Sequence, residues 1–374
     1  MNAQITTVIP TYRRPRLLAR AIRSVLRQSY PDFEVHVYDN ASGDETPEVV
    51  AQFAARDPRV NYHVHPRNIG MMENFAYGIA QADTPYFNIL SDDDFLLPGF
   101  FDAAIDNLTA DPEPGFFFGG LLFFDEAKAV AAPVEGWNIE GRVEPSTIFR
   151  ALFPGNWITW TSSLFRTAAV AAAGGLKPEL GYGADVELLL RVAVRNAAIV
   201  SSKPCGVMNL HHGSASAADG GQQYSAARIL TIFESVENAV ELALREGSIT
   251  QEEARSLRTT IRNGIEWRLF RRAFVLLAQG HRESALETAE VLRRRCGSAR
   301  LAAIVRVAAN TNSVGRLTCA GLRSIRRVRG RLRRHAPTDR YREYETLIER
   351  VRNELEPEPS EALGRTMRIA AGGS

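Results

Sequence analysis

The sequence predicts an α/β domain with a mostly parallel sheet flanked by helices, followed by an all-α region. In the first half of the 374 residues, short apolar runs alternate with segments of helical periodicity, which is the pattern of strands joined by helices. After about Ser225, apolar residues recur at helical spacing almost to the end of the chain. Residues 217–222, Ala-Ala-Asp-Gly-Gly-Gln, separate the two patterns. We therefore expect one domain over residues 1–218 and a helical domain over residues 219–374.

Four apolar runs predict the strands of the first domain, because each has the length of a buried strand. They are residues 5–10, 33–38, 60–64 and 86–90. Three helices are predicted between them: one with apolar spacing from Leu18 to Leu26, one with Thr46 as N-cap and Pro47 at its first position, and one from about Met71 to Gln81.

Acidic residues follow two of these strands. Asp39 ends the second, and Asp92, Asp93 and Asp94 come directly after the fourth. Open α/β sheets bind ligands beyond the carboxyl ends of their strands. Three adjacent carboxylates form either an exposed acidic turn or helix cap, or a site for a divalent cation, since Mg²⁺ and Mn²⁺ prefer carboxylate oxygens and leave positions for phosphates.

Composition narrows the class of protein. Hydrophobic residues make up 45% of the chain and charged residues 24%, which is ordinary for a globular protein and excludes a disordered or fibrous one. Cys205, Cys296 and Cys319 are too few and too scattered for a disulfide framework or a zinc site. There is no signal segment and no run near the roughly 20 apolar residues that cross a bilayer. We expect a cytoplasmic protein.

The small net charge of +2 conceals two regions of opposite sign. Residues 1–220 carry 17 Lys and Arg against 25 Asp and Glu, and residues 221–374 carry 28 against 18. An acidic body is thus joined to a basic C-terminal region. The acidic body contains neither a phosphate-binding loop ending in Gly-Lys-Ser/Thr nor a Gly-x-Gly-x-x-Gly turn. Any phosphate would therefore be held through a cation.

A series of motifs resembles family 2 inverting glycosyltransferases, which have the GT-A fold. The resemblance covers about 215 residues, and it depends on the order and spacing of the motifs rather than on any one of them. The matching segments are residues 8–14 (Val-Ile-Pro-Thr-Tyr-Arg-Arg), 37–46, 67–70 (Arg-Asn-Ile-Gly), 90–94 (Leu-Ser-Asp-Asp-Asp), Gly174-Gly175, 185–188 with Arg191, and 211–216 (His-His-Gly-Ser-Ala-Ser).

The resemblance implies a role for each matched residue. Asp39 would accept hydrogen bonds from the nucleotide base. The other nucleotide contacts would come from Pro10, Thr11, Tyr12, Arg13, Asn68 and Asp92. Asp93 and His211 would bind Mn²⁺ or Mg²⁺, with His212 as the alternative to His211. Asp94, Trp160 and Glu187 would contact the donor sugar or the acceptor, although a tryptophan at strand spacing is as often part of a core.

Asp185 matches the catalytic base of the family. An inverting transfer needs one base to take a proton from the acceptor hydroxyl, and such a base contributes about 10²–10⁴-fold in rate. Read by itself, Asp185 could equally be a loop or helix-capping carboxylate. The sequence departs from the family pattern at Ser91 and Ala184, where many members have acidic residues.

Residues 313–335 predict a basic amphipathic helix, since eight arginines accompany an apolar stripe at spacings of three and four. Such a helix binds an anionic membrane surface, packs on its own domain, or dimerises. Nucleic acid is not expected, because the segment has no aromatic residues for stacking. A membrane partner would place the protein on the inner face of the cytoplasmic membrane.

The sequence thus predicts a metal-assisted transferase that moves a sugar from a UDP-, dTDP- or GDP-sugar to a glycan, lipid-linked or small-molecule hydroxyl. Two alternatives remain: a sugar-nucleotide-forming nucleotidyltransferase, which would need a glycine-rich N-terminal loop that residues 8–14 lack, and a non-catalytic binding or scaffold protein of the same fold.

Overall fold

A computed structural model describes residues 3–126, 130–133, 139–152, 159–211, 226–310 and 339–355. Within these ranges ten strands form one sheet in the order β3-β2-β1-β4-β9-β6-β10-β5, with β7 beside β6 and β8 beside β10. The strands are β1 (Ile5–Thr11), β2 (Phe33–Asp39), β3 (Val60–Val64), β4 (Tyr86–Ile89), β5 (Phe95–Leu96), β6 (Phe116–Asp125), β7 (Val130–Pro133), β8 (Gly141–Val143), β9 (Ser163–Arg166) and β10 (Ala198–Leu210).

Twelve α-helices lie in the same ranges. They are α1 (Pro15–Leu26), α2 (Thr46–Ala54), α3 (Met71–Ala80), α4 (Phe100–Ala110), α5 (Pro145–Leu152), α6 (Thr167–Ala172), α7 (Ala184–Arg195), α8 (Ala226–Arg245), α9 (Gln251–Ala278), α10 (Arg282–Arg294), α11 (Ala299–Asn310) and α12 (Asp339–Leu355).

The first half of the sheet is parallel, as the sequence predicts. β1 pairs in parallel with both β2 and β4, and β2 pairs in parallel with β3. The second half is mixed, because β9 runs antiparallel between β4 and β6, while β6 and β10 are parallel to each other. The four predicted strands lie within one residue of their predicted ends, as do α2 and α3, whereas α1 begins at Pro15, three residues before the predicted apolar spacing starts at Leu18.

The start of α2 differs from the prediction in one detail. Thr46 is the first residue of the helix rather than its cap. The Asp44 carboxylate accepts hydrogen bonds from the Thr46 backbone amide (3.0 Å) and hydroxyl (2.5 Å), and so it satisfies the helix end that Thr46 was expected to cap.

Helices cover both faces of the sheet, which explains why β1 is buried along its whole length. One core joins α1 and α4 to β1 and β2 through residues such as Ile5, Ile9 and Leu18. On the opposite face, α3 lies close to the sheet at Gly78, where an added Cβ would approach Val8 Cγ1 to 2.6 Å. Close packing at this point fixes α3 beside the carboxyl end of β1.

The helices after residue 226 share a core with the α/β domain. Val240 of α8, Ile265 of α9 and Leu292 of α10 belong to the same buried cluster as Leu188 of α7 and Phe87 of β4. The predicted boundary at 218/219 lies outside the described residues and stays a prediction, as does the predicted basic helix at 313–335.

The last described helix, α12, packs against β7 and beside β5 and β6. Its Ile348, Val351 and Leu355 form a buried cluster with Phe95 and Phe124. Among the helices that the structure describes, none combines the length and hydropathy required of a transmembrane span.

Candidate nucleotide and cation site

A cavity of about 270 Å³ opens beyond the carboxyl ends of β1 and β4. Its walls come from the segment after β1, the start of α3, the acidic cluster at residues 91–94, and the end of β10. With Asn40, which follows β2, five separate segments of the chain therefore meet where an open α/β sheet is expected to bind its ligand.

The acidic cluster is buried, which excludes its interpretation as an exposed turn. Asp92, Asp93 and Asp94 are 5%, 8% and 3% exposed. Burial of adjacent carboxylates costs free energy unless hydrogen bonds or cations compensate it. The compensation differs for each of the three side chains, and this difference separates their roles.

Asp92 lies against the loop after β1. Its Oδ2 accepts a hydrogen bond from the Thr11 hydroxyl at 2.8 Å, and its Oδ1 is 3.0 Å from Arg14 Nη1. Burial raises the pKa of the Asp92 carboxyl to about 6, with the Arg14 charge opposing the rise and the Asp93 charge adding to it.

Within the cluster, Asp93 faces two other polar side chains that can bind the same ligand as its own carboxylate. Its Oδ2 is 3.0 Å from Arg14 Nη1 and 3.3 Å from His211 Nε2. One guanidinium nitrogen thus lies at 3.0 Å from oxygens of both Asp92 and Asp93.

Asp94 points away from Arg14. Its Oδ2 accepts from the Thr161 hydroxyl at 2.7 Å and its Oδ1 from the Asn209 backbone amide at 3.0 Å. Burial, followed by the Asp93 charge, raises the pKa of the Asp94 carboxyl to about 8. Asp94 therefore ties the acidic cluster to residues 160–162 and to the end of β10.

Asp93 and His211 fit two ligands of a divalent cation. A carboxylate oxygen and an imidazole nitrogen 3.3 Å apart are an acceptable donor pair for Mn²⁺. Within the described ranges no three His, Cys, Asp or Glu side chains converge as a metal-binding group. The fit is thus to a cation that completes its shell with water and substrate phosphate, as Mg²⁺ commonly does.

The loop after β1 supplies the opposite wall of the cavity. Pro10, Thr11 and Tyr12 line it, as the sequence predicts. Arg13 does not: its backbone amide and Nε donate to Ser42, at 2.9 and 3.0 Å, and its φ of +55° turns the chain there. The Arg13 guanidinium lies 5.0 Å from the centre of the Tyr12 ring, so Arg13 acts on this wall through Tyr12.

Asp39 lies at the end of β2 with an exposure of 1%, behind the cavity rather than on its wall. It accepts hydrogen bonds from the Ser42 amide (2.9 Å), the Ser42 hydroxyl (2.5 Å) and the Tyr62 hydroxyl (2.6 Å). Burial, together with the hydrogen bond to Asp39, raises the pKa of Tyr62. Asp39 therefore holds the loop at residues 40–42 in place.

Asn40 and Asn68 connect this loop to the start of α3, and both line the cavity. Asn40 Nδ2 donates to Asn68 Oδ1 (3.1 Å) and to the Gly70 carbonyl (2.9 Å), while its Oδ1 accepts from the Ile69 amide (2.8 Å). Gly70 has a φ of +105°, a conformation that favours glycine. The Arg-Asn-Ile-Gly motif is thus a turn fixed by Asn40.

Besides Arg13, Asp39 and His211, three more of the predicted residues do not line this cavity, namely Trp160, Asp185 and Glu187. Trp160 is half-buried and stacks on Phe75, a wall residue, with ring centres 5.0 Å apart. Asp185 lies at the start of α7, where its Oδ1 accepts from the Val186 amide at 2.7 Å. It follows the turn Pro178–Gly183, which packs against α3.

Glu187 lies outside the wall of this cavity. Its carboxylate is 3% exposed and is 2.7 Å from the Arg191 guanidinium and 2.8 Å from Lys177 Nζ. It lines a different crevice, between α7 and α8. Because its charge is matched by two cations, Glu187 holds α7 to the segment before it, and its contact with the donor or acceptor stays a prediction.

Arg14 and Asn40 are among the wall residues that had no role in the sequence interpretation. Both fall within matched motifs, but only the fold shows that Arg14 reaches the acidic cluster and that Asn40 braces the turn at residues 68–70. The adjacency of an arginine pair to a predicted strand end is the one signal that could have pointed to Arg14.

The architecture is that of GT-A nucleotide-sugar transferases. It resembles the crystal structure of S. aureus TarS residues 1–349 in complex with UDP-GlcNAc, with a TM-score of 0.51 and 16% identity over 79% of this chain and 92% of that one. This likeness concerns the fold alone.

Residues 6–151 match the family model of glycosyl transferase family 2. The chain is 32% identical over 126 residues to GalNAc(5)-diNAcBac-PP-undecaprenol beta-1,3-glucosyltransferase of Campylobacter jejuni, covering 33% of this chain and 40% of that protein. It is 29% identical over 114 residues to the processive diacylglycerol beta-glycosyltransferase of Mycoplasma pneumoniae, covering 30% and 33%. The chain therefore spans well under half the length of these relatives.

Proposed function

We propose that this protein transfers a sugar from a nucleoside-diphosphate sugar to an acceptor hydroxyl with inversion at the anomeric carbon. The observation that carries the proposal is the buried cluster of Asp92, Asp93 and Asp94 in the wall of the cavity, with His211 beside Asp93. The family match of residues 6–151 supports the same activity.

In this proposal the nucleoside lies against Pro10, Thr11 and Tyr12. Tyr12 is 39% exposed and offers an aromatic face for stacking, which Arg13 backs from the other side. Asn68 and Asn40 present amide groups on the same wall. Asp39 acts from behind by fixing the loop rather than by reaching the base itself.

Asp93 and His211 would hold a divalent cation, which when bound neutralises the diphosphate of the donor and of the departing nucleotide. Asp92 keeps Asp93 in place through the loop after β1, and Asp94 fixes the far end of the cluster to Thr161 and Asn209. The chain thus positions its two cation ligands from both sides.

Asp185 is the proposed general base. It accepts the proton of the acceptor hydroxyl while that oxygen forms its bond to the anomeric carbon, and the bond from that carbon to the diphosphate oxygen breaks, which releases the nucleoside diphosphate. The position of Asp185 supports this role, because it is half-buried at the start of α7 and follows a turn that packs on the α3 wall of the cavity.

The acceptor is proposed as a chemical class. The two relatives named above carry lipid-linked or lipid substrates in their names. We propose that this chain also acts on a lipid-linked or membrane-associated acceptor, with the basic segment at residues 313–335 facing the anionic lipid surface.

The test begins with binding. Thermal stability is measured with UDP-, dTDP- and GDP-sugars, each with and without Mn²⁺, since a ligand at 100-fold its dissociation constant adds about 2.7 kcal/mol to stability. One donor class is expected to stabilise the protein only with Mn²⁺.

Transfer is then measured with that donor on wild type and on Asp185→Asn. We expect the variant to keep donor binding and to lose about 10²-fold or more in rate. If no nucleotide sugar binds, the proposed function is wrong. If the donor binds and wild type transfers no sugar to any acceptor class, the chain is a binding protein of this fold.

A further inference from the structure

We infer that Arg14 is an internal counter-ion for the proposed cation ligands, which competes with the divalent cation and moves to the diphosphate when the nucleotide binds. This inference rests on the proposed function, because it concerns the same acidic cluster. It assigns a role to a side chain that the motifs do not explain.

The Arg14 guanidinium lies between two carboxylates of the acidic cluster. A single nitrogen, Nη1, lies 3.0 Å from Asp92 Oδ1 and 3.0 Å from Asp93 Oδ2. A guanidinium between two carboxylates occupies the electrostatic position that a bound cation would otherwise fill. It also explains how adjacent carboxylates less than one-tenth exposed are tolerated next to each other.

The distance between the Arg14 guanidinium and a cation bound to Asp93 has an upper limit. A small divalent cation bound directly to Asp93 Oδ2 lies about 2.1 Å from that oxygen. Since Arg14 Nη1 is 3.0 Å from the same oxygen, the two positive charges would be at most about 5 Å apart. In a largely buried site a repulsion of this kind weakens cation binding by more than about tenfold.

The Arg14 side chain lies within reach of a ligand in the cavity. The residue precedes the first turn of α1 and is not within a regular element. Its side chain is 25% exposed and lines the cavity, so the guanidinium can turn toward a ligand there without leaving the wall. A guanidinium binds diphosphate oxygens in a bidentate manner, which an ammonium group cannot do.

With Arg14 placed in this way, the binding of the cation and the binding of the diphosphate are cooperative. Without a diphosphate, Arg14 repels the cation; with one, Arg14 gains a new partner and the carboxylates are released to the cation. Such coupling is reciprocal, so each ligand strengthens the binding of the other by the same factor.

The experiment measures Mn²⁺ binding by electron paramagnetic resonance of the free ion, with the full chain, in the absence and presence of inorganic pyrophosphate. The variants are Arg14→Gln, Arg14→Lys and a matched control, Arg16→Gln, which removes the same charge from an exposed side chain two residues away. Circular dichroism and melting curves establish that each variant is folded.

We expect Arg14→Gln to bind Mn²⁺ alone about tenfold more tightly than wild type, and to show little further gain on adding pyrophosphate. Arg16→Gln should bind like wild type, and Arg14→Lys should keep the weak binding of Mn²⁺ alone while losing part of the pyrophosphate effect.

Equal Mn²⁺ affinity of Arg14→Gln and wild type would overturn the inference, as would an equal gain in Arg16→Gln. Tighter Mn²⁺ binding by Arg14→Gln in a protein that binds no nucleotide sugar would support the counter-ion role and refute the proposed function. The two failures are therefore distinguishable.

Discussion

Two buried acidic groups in this molecule follow opposite rules. Glu187 is 3% exposed and faces two cations, Arg191 at 2.7 Å and Lys177 at 2.8 Å. The Asp92–Asp94 cluster is similarly buried, yet Asp92 and Asp93 share one guanidinium, that of Arg14, and the partners described above for Asp94 are the uncharged Thr161 hydroxyl and Asn209 amide. Glu187 is electrically balanced by its own chain, whereas the cluster carries an excess of negative charge.

The comparison teaches that burial alone does not mark a functional acid. A balanced buried ion pair fixes structure, and breaking it is costly because one charge is left without its partner. An unbalanced cluster is instead suited to a ligand that brings positive charge. The following predictions either break or sharpen this contrast.

The largest effect is expected for Asp93→Asn. The change removes one of the two proposed cation ligands, so transfer should fall by about 10³-fold, close to 4 kcal/mol of transition-state stabilisation. Because the change also relieves repulsion with Asp92 and Asp94, the melting temperature should stay the same or rise. Steady-state kinetics measures the transfer rate, and calorimetry measures the melting temperature. A loss of stability would show that Asp93, like Glu187, fixes the structure.

Arg191→Met should show the reverse pattern. It leaves the Glu187 carboxylate buried with Lys177 as its remaining cation among the contacts described above, and the free energy of unfolding should fall by about 3 kcal/mol. Mn²⁺-dependent donor binding by the folded variant should be unchanged, since neither residue lines the cavity. Urea denaturation and calorimetric titration test this; weakened donor binding without loss of stability would refute it.

A smaller effect is expected for Glu126→Gln. The native Glu126 links the acidic cluster to α12. Glu126 Oε1 is 2.9 Å from Arg352 and 3.6 Å from Arg20, and Arg20 Nη2 donates to the Asp93 carbonyl at 2.9 Å. These contacts are partly exposed, so we expect a loss of about 1 kcal/mol in stability and a few-fold weaker Mn²⁺-dependent donor binding. An effect on stability alone would show that α12 does not position the cluster.

The smallest effect concerns His63, whose ring stacks on those of Tyr38 and His36. Burial, with the neighbouring His36 and His65, lowers the pKa of His63. The unfolded chain therefore binds a proton more readily, and stability is present above pH 6.5 and is lost as the pH falls below it. His63→Gln should lose less stability than wild type between pH 7 and pH 5, by a few tenths of a kcal/mol, as measured by urea denaturation; identical pH profiles would contradict this.

The local part of the fold was predictable. Four apolar runs and the helices between them define the parallel half of the sheet, because burial on both faces leaves an uninterrupted apolar signal, as in β1. The antiparallel insertion of β9 between β4 and β6 was not predictable, since it pairs strands that are far apart in sequence. Nothing in a short window records which distant strand becomes the neighbour.

The site divides in the same way. The acidic cluster and the loop at residues 10–12 follow directly from strand ends, so their meeting in one cavity was predictable. The separation of Glu187 from that cavity was not, because its partners Lys177 and Arg191 lie close to it in sequence and are equally compatible with a binding site. The distances, and not the residue types, show that Arg14 contacts the acidic cluster and that Glu187 holds α7 in place.

The most direct test of the account is the position of the cation. Crystals grown with Mn²⁺ and the nucleoside diphosphate that binds best should show an anomalous peak about 2.1 Å from an Asp93 carboxylate oxygen and within coordination distance of His211, with the Arg14 side chain turned to the diphosphate. A bound diphosphate with Arg14 still between Asp92 and Asp93, and no peak beside Asp93, would contradict the account.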